Sequence, residues 1–479
     1  MKRILPLLVV LVLALFIAAC TREPDAPEVT QPEPPAVTQP EVTPSPPTEP
    51  TPEPPPELPS EWQLNDGNPA TISFEWWGGD ARHEAIRNAI DIFTDRYPHI
   101  TVNPIYGAFG GYLDRLTMDL AAGTEADVLQ SNFAWVHALG GGHNVFANHL
   151  ELPYLDLTEW SRELLAFTTT ADGQLAGVPH GITGRVVIYN TELLAEHGHS
   201  QFPETWDELI ALGEAIAAGN AALDAGNNRY AFFPVGYQSW DIILMTMILN
   251  EFGVNLQADG RILPTVDQVE AMFEVLGRAI DAGALPTFVQ QEAPLDTTNP
   301  VWMQGRGGGL FEWVGNIFLA GGNFLDNDPS NRIVEGLNIA LLPSVSPGTT
   351  RNSMQRPSLV HAVSRASVNR GTSDVAAYFL NFIYTDEEAL LAIGDQFGVP
   401  LSRTASAIAE REGQVWGLMA DGLNLLIANE AEMCFLFEDP NLRPARAAAI
   451  EAFRTGALSA REAAERWVND QQSELNAMR

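Results

Sequence analysis

Residues 71–106 read TISFEWWGGDARHEAIRNAIDIFTDRYPHITVNPIY, and this stretch decides the fold class. Its first seven residues, TISFEWW, alternate in polarity and are rich in residues that favour β-strands. ITVNPIY, at its end, has the same character and predicts a second strand. The segment between them predicts a helix, since its apolar residues share one helical face: Ala85, Ile86, Ala89, Ile90 and Phe93.

The next segments continue the alternation of strands and helices. GGYLDRLTMDLAAG predicts a second helix that ends at Gly123, and ADVLQS predicts a third, short strand. Alternating units of this kind build an α/β fold with a parallel sheet, and such sheets bind ligands at the carboxyl ends of their strands. With 479 residues, the chain is long enough to divide into two lobes or domains.

Many segments, taken in order, match one known family. They are FEWWGG, YPHITVNP, LDLTEW, ADGQLAGVPHGITGRVVIYNTELLAEHG, FPETWDELIALGEAIA, WMQGRGGGLFEWVGN, GLNIALLPSV, DVAAYFLNFIYTDEEAL, FGVPLSR and FRTGALSAREAAERWVND. In order and spacing they resemble the extracellular solute-binding proteins of sugar ABC importers, of the maltose-binding-protein-like type. The resemblance covers nearly everything from residue 71 to the end, and DGQLAGVP and PETWDEL are its most characteristic pieces.

The resemblance implies a type II periplasmic-binding-protein fold. Such a fold has two discontinuous α/β lobes, a hinge between them and an interlobe cleft that closes on a ligand. It implies chain crossings near residues 181–186, 308–312 and 358–363. The implied N-lobe then comprises residues 61–181 and 313–358, and the implied C-lobe comprises residues 182–312 and 359–479.

A sugar presents hydroxyl groups to polar side chains and C–H faces to aromatic rings, so a sugar cleft needs both after strand ends. The sequence has such groups where the resemblance implies the cleft. The predicted ligand-binding residues are Trp77, Asp80, Arg82, Gln130, Asn132, Trp135, Tyr237, Trp240, Asp241, Glu312, Trp313 and Asn316. Arg356 joins them, because Arg356-Pro357 stands where many relatives carry a glycine pair and its side chain can then reach the ligand.

Other aromatic residues are predicted to pack in the core. Trp76 alternates with Phe74 along the first strand, which favours burial, whereas Trp77 at the strand end is open to either role. Trp206, at a helix start, and Trp467, on the last amphipathic helix, are predicted packing residues.

The N-terminus predicts export and lipid attachment. Lys2 and Arg3 precede the apolar run Ile4–Ala19, which is shorter than the roughly 20 residues of a spanning helix and indicates a signal peptide over residues 1–19. Ala18 and Ala19 before Cys20 resemble a bacterial lipobox, so Cys20 is the predicted lipidated N-terminus. The alternative is an ordinary signal with an incidental cysteine. Residues 20–60 are rich in Pro, Glu and Thr and predict a disordered tether.

Composition excludes several classes of chemistry. The net charge of −35 argues against nucleic acid as a partner, because phosphate binding needs a basic surface. Lys2 is the only lysine, so the mature chain lacks the amine that a P-loop or a Schiff base needs, and we predict no cofactor. The spacing of His137, His143 and His149 suits no metal geometry, and solvated or capping roles are favoured for these histidines.

The sequence therefore predicts a binding protein and not an enzyme. Its expected partners are a carbohydrate, a mono- or oligosaccharide, and the permease subunits of an ABC importer. It is expected to be a monomer held to the membrane by lipid, outside the cytoplasm, at the cell surface or in the periplasm. The alternative is a membrane-anchored glycoside hydrolase with a carboxylate pair, although no G-x-S-x-G or H-E-x-x-H motif is present.

Overall fold

A computed structural model describes residues 63–140, 145–224, 226–234, 236–258, 260–287, 290, 297–324, 335–413, 417–439 and 441–478. The predicted signal peptide, Cys20 and the tether lie outside these residues, as does His143. Tyr237 lies in a described helix, but its side chain is outside the described part of the structure.

Twelve strands form within the described residues. They are β1 (Ala70–Trp77), β2 (Ile100–Gly107), β3 (Val128–Ser131), β4 (Val178–Pro179), β5 (Ile182–Asn190), β6 (Gln257–Ala258), β7 (Arg261–Ile262), β8 (Gly309–Trp313), β9 (Leu337–Ala340), β10 (Ser353–Pro357), β11 (Val360–Val363) and β12 (Glu430–Glu432).

Seventeen α-helices accompany them in the same part of the chain. They are α1 (Asp80–Arg96), α2 (Tyr112–Ala122), α3 (Phe133–Gly140), α4 (Arg162–Ala166), α5 (Thr191–Glu196), α6 (Trp206–Asn220), α7 (Gly236–Phe252), α8 (Val266–Asp281), α9 (Pro300–Met303), α10 (Ile317–Asn323), α11 (Arg365–Arg370), α12 (Ser373–Thr385), α13 (Glu387–Ile393), α14 (Arg403–Arg411), α15 (Gly417–Ala428), α16 (Leu442–Arg454) and α17 (Ala460–Ala477). None of these helices has the length and hydropathy that crossing a membrane requires.

The first sheet has the strand order β2-β1-β3-β11-β4. Strands β2 and β3 both run parallel to β1, and α1 connects β1 to β2, as the sequence predicts. The five apolar residues expected on one face of α1 are all buried. Strand β11 enters the sheet antiparallel to β3 and β4, so a segment distant in sequence completes it.

The second sheet is built around the long strand β5. The first part of β5 pairs with β10, and its second part lies between β8 and β9, all antiparallel. Strand β12 runs parallel to β10 at the edge. This sheet thus contains only segments that follow residue 181.

Each sheet has its own hydrophobic core. The core beside the first sheet includes Trp76 and Phe74 together with Phe379 of α12. The core beside the second sheet includes Trp206 and Trp467. The packing roles predicted for Trp76, Trp206 and Trp467 are confirmed, because all three side chains are fully buried.

The characteristic PETWDEL segment forms the start of a helix. Thr205 accepts a hydrogen bond from the backbone N–H of Glu208, and the Glu208 carboxylate accepts one from the backbone of Thr205. This capping box satisfies donors that the first turn of α6 would otherwise leave unpaired. It also fixes Trp206, the next residue, in the second core.

Among the described elements, the chain changes from one sheet to the other at three places. The first passage follows β4 and leads into β5, the second leads from β10 into β11, and the third lies between the end of α14 and the start of α15. We call the part around the first sheet the first lobe and the part around the second sheet the second lobe.

This division corrects the boundaries predicted from the sequence. Residues 313–358 were expected in the N-lobe, but β9 and β10 pair with β5 in the second sheet. Residues from 359 onward were expected in the C-lobe, but β11 pairs with β3 and β4, and α12 packs in the first core. No crossing occurs near residues 308–312, because β8 and the α9 segment before it both lie in the second lobe.

Candidate functional site

A cavity of about 370 Å³ lies between the two lobes. Its walls come from both sheets, from the two passages beside β5 and from the segment after α13. The lining residues are Trp77, Arg82, Phe109, Asn132, Ile182, Thr183, Gln238, Trp313, Val314, Gly315, Asn316, Arg356, Ser358, Leu359, Asp395, Gln396, Phe397, Gly398 and Val399.

Aromatic rings dominate the wall that the first lobe contributes. Trp77 ends β1, and Phe109 lies in the loop after β2, where 47% of its surface is exposed. The Phe109 ring stacks on Trp135, with 5.9 Å between centroids and 7° between planes. Trp77 meets Phe109 edge-on at 5.6 Å. A flat, supported ring open to solvent suits the C–H face of a sugar.

Arg82 lies on the same wall, in the first turn of α1. Its Nη1 donates to the carbonyl oxygen of Trp77 at 3.2 Å, and its buried Nε has no acceptor among the described residues. Burial lowers the pKa of Arg82 to about 10. Gly78 leaves space for the side chain, because a Cβ there would lie 2.6 Å from Cδ of Arg82.

Two amide residues at the end of β3, Gln130 and Asn132, have different roles. Asn132 lines the cavity, and its Oδ1 accepts from the backbone N–H of Ala134 at 2.9 Å, at the start of α3. Gln130 is fully buried and donates from Nε2 to the carbonyl oxygen of Trp77 at 3.2 Å. Gln130 and Trp135 therefore support the wall, while Trp77 and Asn132 face the cavity.

Trp313 is the centre of the wall that the second lobe contributes. The guanidinium carbons of Arg185 and Arg356 lie 4.6 and 4.5 Å from its ring centroid. Arg185 is buried and donates from Nη1 to Ser239 Oγ at 2.8 Å and to the carbonyl oxygen of Phe311 at 2.6 Å. Trp313 thus packs with two cations, which favours their position near its ring.

Glu312 supports the same wall through hydrogen bonds to two of its residues. One carboxylate oxygen accepts from the backbone N–H of Trp313 at 2.7 Å and from Asn316 Nδ2 at 3.3 Å, and lies 3.9 Å from Arg185. Glu312 is buried and does not line the cavity, whereas Asn316 does. Its position orients Trp313 and Asn316.

Arg356 lines the cavity as predicted, next to the second passage between the lobes. It is 7% exposed, and its Nη1 donates to the carbonyl oxygens of Pro357 at 2.8 Å and Ser358 at 3.3 Å. These contacts to its own strand end, together with Trp313, fix where the guanidinium lies.

Three further predicted ligand-binding residues do not line the cavity, in addition to Gln130, Trp135 and Glu312. Asp80 is exposed in the first turn of α1 and is not among the lining residues. Trp240 is 1% exposed, and its ring lies 4.1 Å from the guanidinium carbon of Arg454. Asp241 forms a buried ion pair with Arg446 at 3.0 Å. Trp240 and Asp241 were misplaced because VGYQSWD was interpreted as a loop. Its residues from Gly236 instead begin α7, whose next turns are buried in the second core.

Several lining residues were missed by the sequence analysis. Phe109 stands between glycines in GAFGG directly after a strand, a signal that could have found it. Gln238 lies in the first turn of α7 beside the predicted residues. Residues 395–399 reach the cavity only because the chain after α13 returns to the first passage between the sheets, where the backbone N–H of Leu401 donates to the carbonyl oxygen of His180 at 2.9 Å. No local pattern shows that return.

His149 and His137 are buried or partly buried, whereas the sequence analysis favoured solvated or capping roles for them. His149 is fully buried: its Nδ1 lies 2.9 Å from the carbonyl oxygen of Leu175, and its Nε2 accepts from the backbone N–H of Val363 at 2.9 Å. Burial lowers its pKa to about 4. His137 is partly buried, with Nε2 2.7 Å from the carbonyl oxygen of Phe167. Within the described residues, no three metal-binding side chains converge on one point.

The chain is similar to a known protein family over most of its length. Residues 88–410 match the family described as bacterial extracellular solute-binding protein. The chain belongs to this family. Membership confirms the resemblance drawn from the sequence, and it implies solute binding outside the cytoplasm.

Individual relatives of this solute-binding protein are distant. A probable ABC transporter-binding protein of Deinococcus radiodurans is 23% identical over 275 residues, which is 51% of this chain. The match spans 62% of that relative's length.

Two solved structures have the same fold as this solute-binding protein. A periplasmic oligogalacturonide-binding protein of Yersinia enterocolitica, in complex with saturated digalacturonic acid, is 23% identical, with a TM-score of 0.73 over 85% of this chain and 99% of that one. A maltose-bound MalE3 of T. maritima is 18% identical, with a TM-score of 0.67 over 85% of this chain and 100% of that one. The type II periplasmic-binding-protein fold is thereby confirmed.

Proposed function

We propose that this protein is the substrate-binding lipoprotein of an ABC importer. In this proposal it captures a mono- or oligosaccharide between its lobes and delivers it to the permease. The observation that carries the proposal is the interlobe cavity, whose walls present Phe109 and Trp77 on one side and Trp313, Asn316 and Arg356 on the other. Aromatic rings beside a few polar side chains suit the C–H faces and hydroxyl groups of a sugar.

Lobe closure supplies the mechanism without any catalytic group. A ligand that touches both walls binds the closed form better than the open form, and that difference in affinity drives closure. The relative in Deinococcus radiodurans is named as a probable ABC transporter-binding protein, and the two solved structures bind sugars according to their names. Both facts support delivery of a saccharide to a permease.

The glycoside hydrolase alternative finds less support in the cavity. Such enzymes use two carboxyl groups on either side of the scissile bond. Among the described lining residues, Asp395 is the one carboxylate, and its Oδ1 accepts from Gln396 Nε2 at 2.9 Å.

A ligand screen tests the binding function. The purified protein is heated with mono- and oligosaccharides, and a bound sugar at 100 times its dissociation constant should stabilise the fold by about 2.7 kcal/mol. The same mixtures are analysed for product by chromatography. Stabilisation with the sugar intact supports the proposal, whereas turnover of the sugar would favour the hydrolase. Small-angle scattering should show a smaller radius of gyration with the ligand if the lobes close.

Lipid attachment is tested separately at the two cysteines. Cells that express the full chain are labelled with radioactive palmitate, and the Cys20→Ser variant should lose the label. Cys434→Ser is the matched control, because Cys20 and Cys434 are the chain's two cysteines and Cys434 lies within the folded second lobe. Label retained by Cys20→Ser would contradict the lipoprotein assignment.

A further inference from the structure

We infer that the ligand is an acidic saccharide, and that Arg82 and Arg356 receive its carboxylate from opposite walls of the cavity. The inference rests on the proposed function and names the substrate class of the same site. It predicts uronate-type sugars in place of their neutral counterparts.

Arg82 is a partly buried cation whose Nε is fully buried, and no described residue forms an ion pair with it. None of the described carboxylates lies within 4.0 Å of its guanidinium, although ion pairs bind many other arginines of this acidic chain. Its Nη1 bonds to a backbone carbonyl, while its Nε is buried without an acceptor among the described residues. A charged group with a buried, unpaired N–H is costly unless an anion pairs with it.

Two imidazoles lie near Arg82. His180 and His361 lie close enough for the Arg82 charge to help lower the pKa of both imidazoles, after the larger effect of their burial. Both imidazoles pack against Phe397, a lining residue, at 5.0 and 4.8 Å between centroids. The region behind this wall therefore contains neutral rings.

Arg356 contributes a second guanidinium from the opposite wall. Its head group is fixed by two backbone carbonyls and by the Trp313 ring. A guanidinium held in one place loses little freedom when it binds an anion, and arginine is suited to carboxylates because two N–H groups can point at two oxygens.

The charge of the cavity is opposite to that of the chain. The formal net charge is −35, yet the described lining residues include two arginines and one acid, Asp395. A cavity of this sign inside an acidic protein concentrates anions where the ligand binds. Neutral sugars need no such arrangement, since amides satisfy hydroxyl groups without a buried cation.

The experiment compares uronate sugars with neutral sugars of the same skeleton. Isothermal titration calorimetry on the purified protein uses digalacturonate and galactobiose, glucuronate and glucose, and succinate as a carboxylate without a sugar. We expect at least one uronate to bind about 10- to 100-fold more tightly than its neutral counterpart, the range expected for hydrogen bonds to a charged group.

Variants then assign the preference to the arginines. Arg82→Gln should remove most of the discrimination, and Arg82→Lys should restore part of it because the charge returns. Arg87→Gln is the control, since Arg87 lies on the same helix, is exposed and does not line the cavity. Thermal melting without ligand verifies that each variant is folded.

The outcomes separate this inference from the proposed function. If neutral sugars bind as tightly as uronates, or if Arg87→Gln lowers discrimination as much as Arg82→Gln, the inference is overturned while sugar binding stands. If succinate binds and none of the sugars does, both are overturned. If none of the uronates binds, the inference is also overturned.

Discussion

Phe109 lies parallel to Trp135, with an angle of 7° between the two rings, and its outer surface is open at the mouth of the interlobe cavity. Trp135 was expected to contact the ligand, but it instead supports the residue that faces the cavity. The buried Trp135 ring sets the orientation of Phe109, and the exposed Phe109 ring presents its face to the cavity.

Phe109→Ala should weaken saccharide binding by about 1 kcal/mol, because the variant loses the stacking surface. The stability of the ligand-free protein should change little, since the ring is half exposed. Calorimetry with the best sugar of the screen measures the first effect. Met118→Ala is the control, because Met118 is 65% exposed on α2 and does not line the cavity. Equal affinities in the Phe109 variant and the wild type would rule out the stacking role.

Trp240→Phe should reduce stability and leave sugar affinity unchanged. The smaller ring leaves a void in the second core beside Arg454, at a cost of about 1–3 kcal/mol. Trp313→Phe should instead lower the sugar affinity, because Trp313 lines the cavity and packs with Arg356. Urea unfolding and calorimetry on both variants test the contrast. If the Trp240→Phe variant is fully folded but binds the sugar more weakly, Trp240 does contact the ligand.

His149 should make the protein less stable in mild acid. Its folded pKa of about 4 lies below the ordinary value of 6.5, so the unfolded chain binds more protons between these values. Stability is therefore complete above pH 6.5 and is lost as the pH falls toward 4, by about 2 kcal/mol from this group at pH 5. Protonation would also displace the N–H of Val363 from Nε2.

Urea unfolding at pH 7.5 and pH 5 measures this effect. His149→Gln, which retains a donor and an acceptor, should show a smaller loss of stability between the two pH values than the wild type. His199→Gln is the control at a partly exposed histidine and should leave the pH dependence unchanged. The same pH dependence in all three proteins would show that His149 does not contribute.

Gly181→Ala should distort the hinge. A Cβ at this position would lie 2.0 Å from the carbonyl oxygen of Val399, so the Val399 segment has to move. We expect a stability loss of about 1–3 kcal/mol, as for other overpacked sites. Sugar affinity should fall as well, because Val399 lines the cavity.

Gly219→Ala is the control for the glycine substitution, since a Cβ at this position in α6 meets no atom within 4 Å. This variant should retain both stability and affinity. An unaltered melting temperature and affinity in Gly181→Ala would mean that the Val399 segment moves at no cost.

Three lining residues of each wall were predicted from the sequence: Trp77, Arg82 and Asn132 on the first, and Trp313, Asn316 and Arg356 on the second. Trp77, Arg82 and Asn132 follow parallel strands whose ends meet at one edge, so their order along the chain was sufficient. Trp240 was misplaced because α7 is buried on several sides, and such a helix has no polar face to reveal its periodicity.

The lobe boundaries depended on pairing that no local pattern contains. Strands β8, β9 and β10 all join β5, while β11 returns to the first sheet immediately after β10. A two-residue turn between sheets, at Ser358 and Leu359, looks like any other strand connection in the sequence. The fold class could be predicted from the sequence. Assigning each segment to its lobe required knowing which strands pair with each other.

The two passages beside β5 are hydrogen-bonded to each other while they cross. The backbone N–H of His180 donates to Leu359 at 2.9 Å, and that of Ser358 donates to Gly181 at 2.7 Å. Two strands linked in this way form a ribbon, which twists more readily than it shears. Domain rotation in this protein is therefore expected to be a torsion about one shared axis, with slow deuterium exchange at both amides even while the lobes swing.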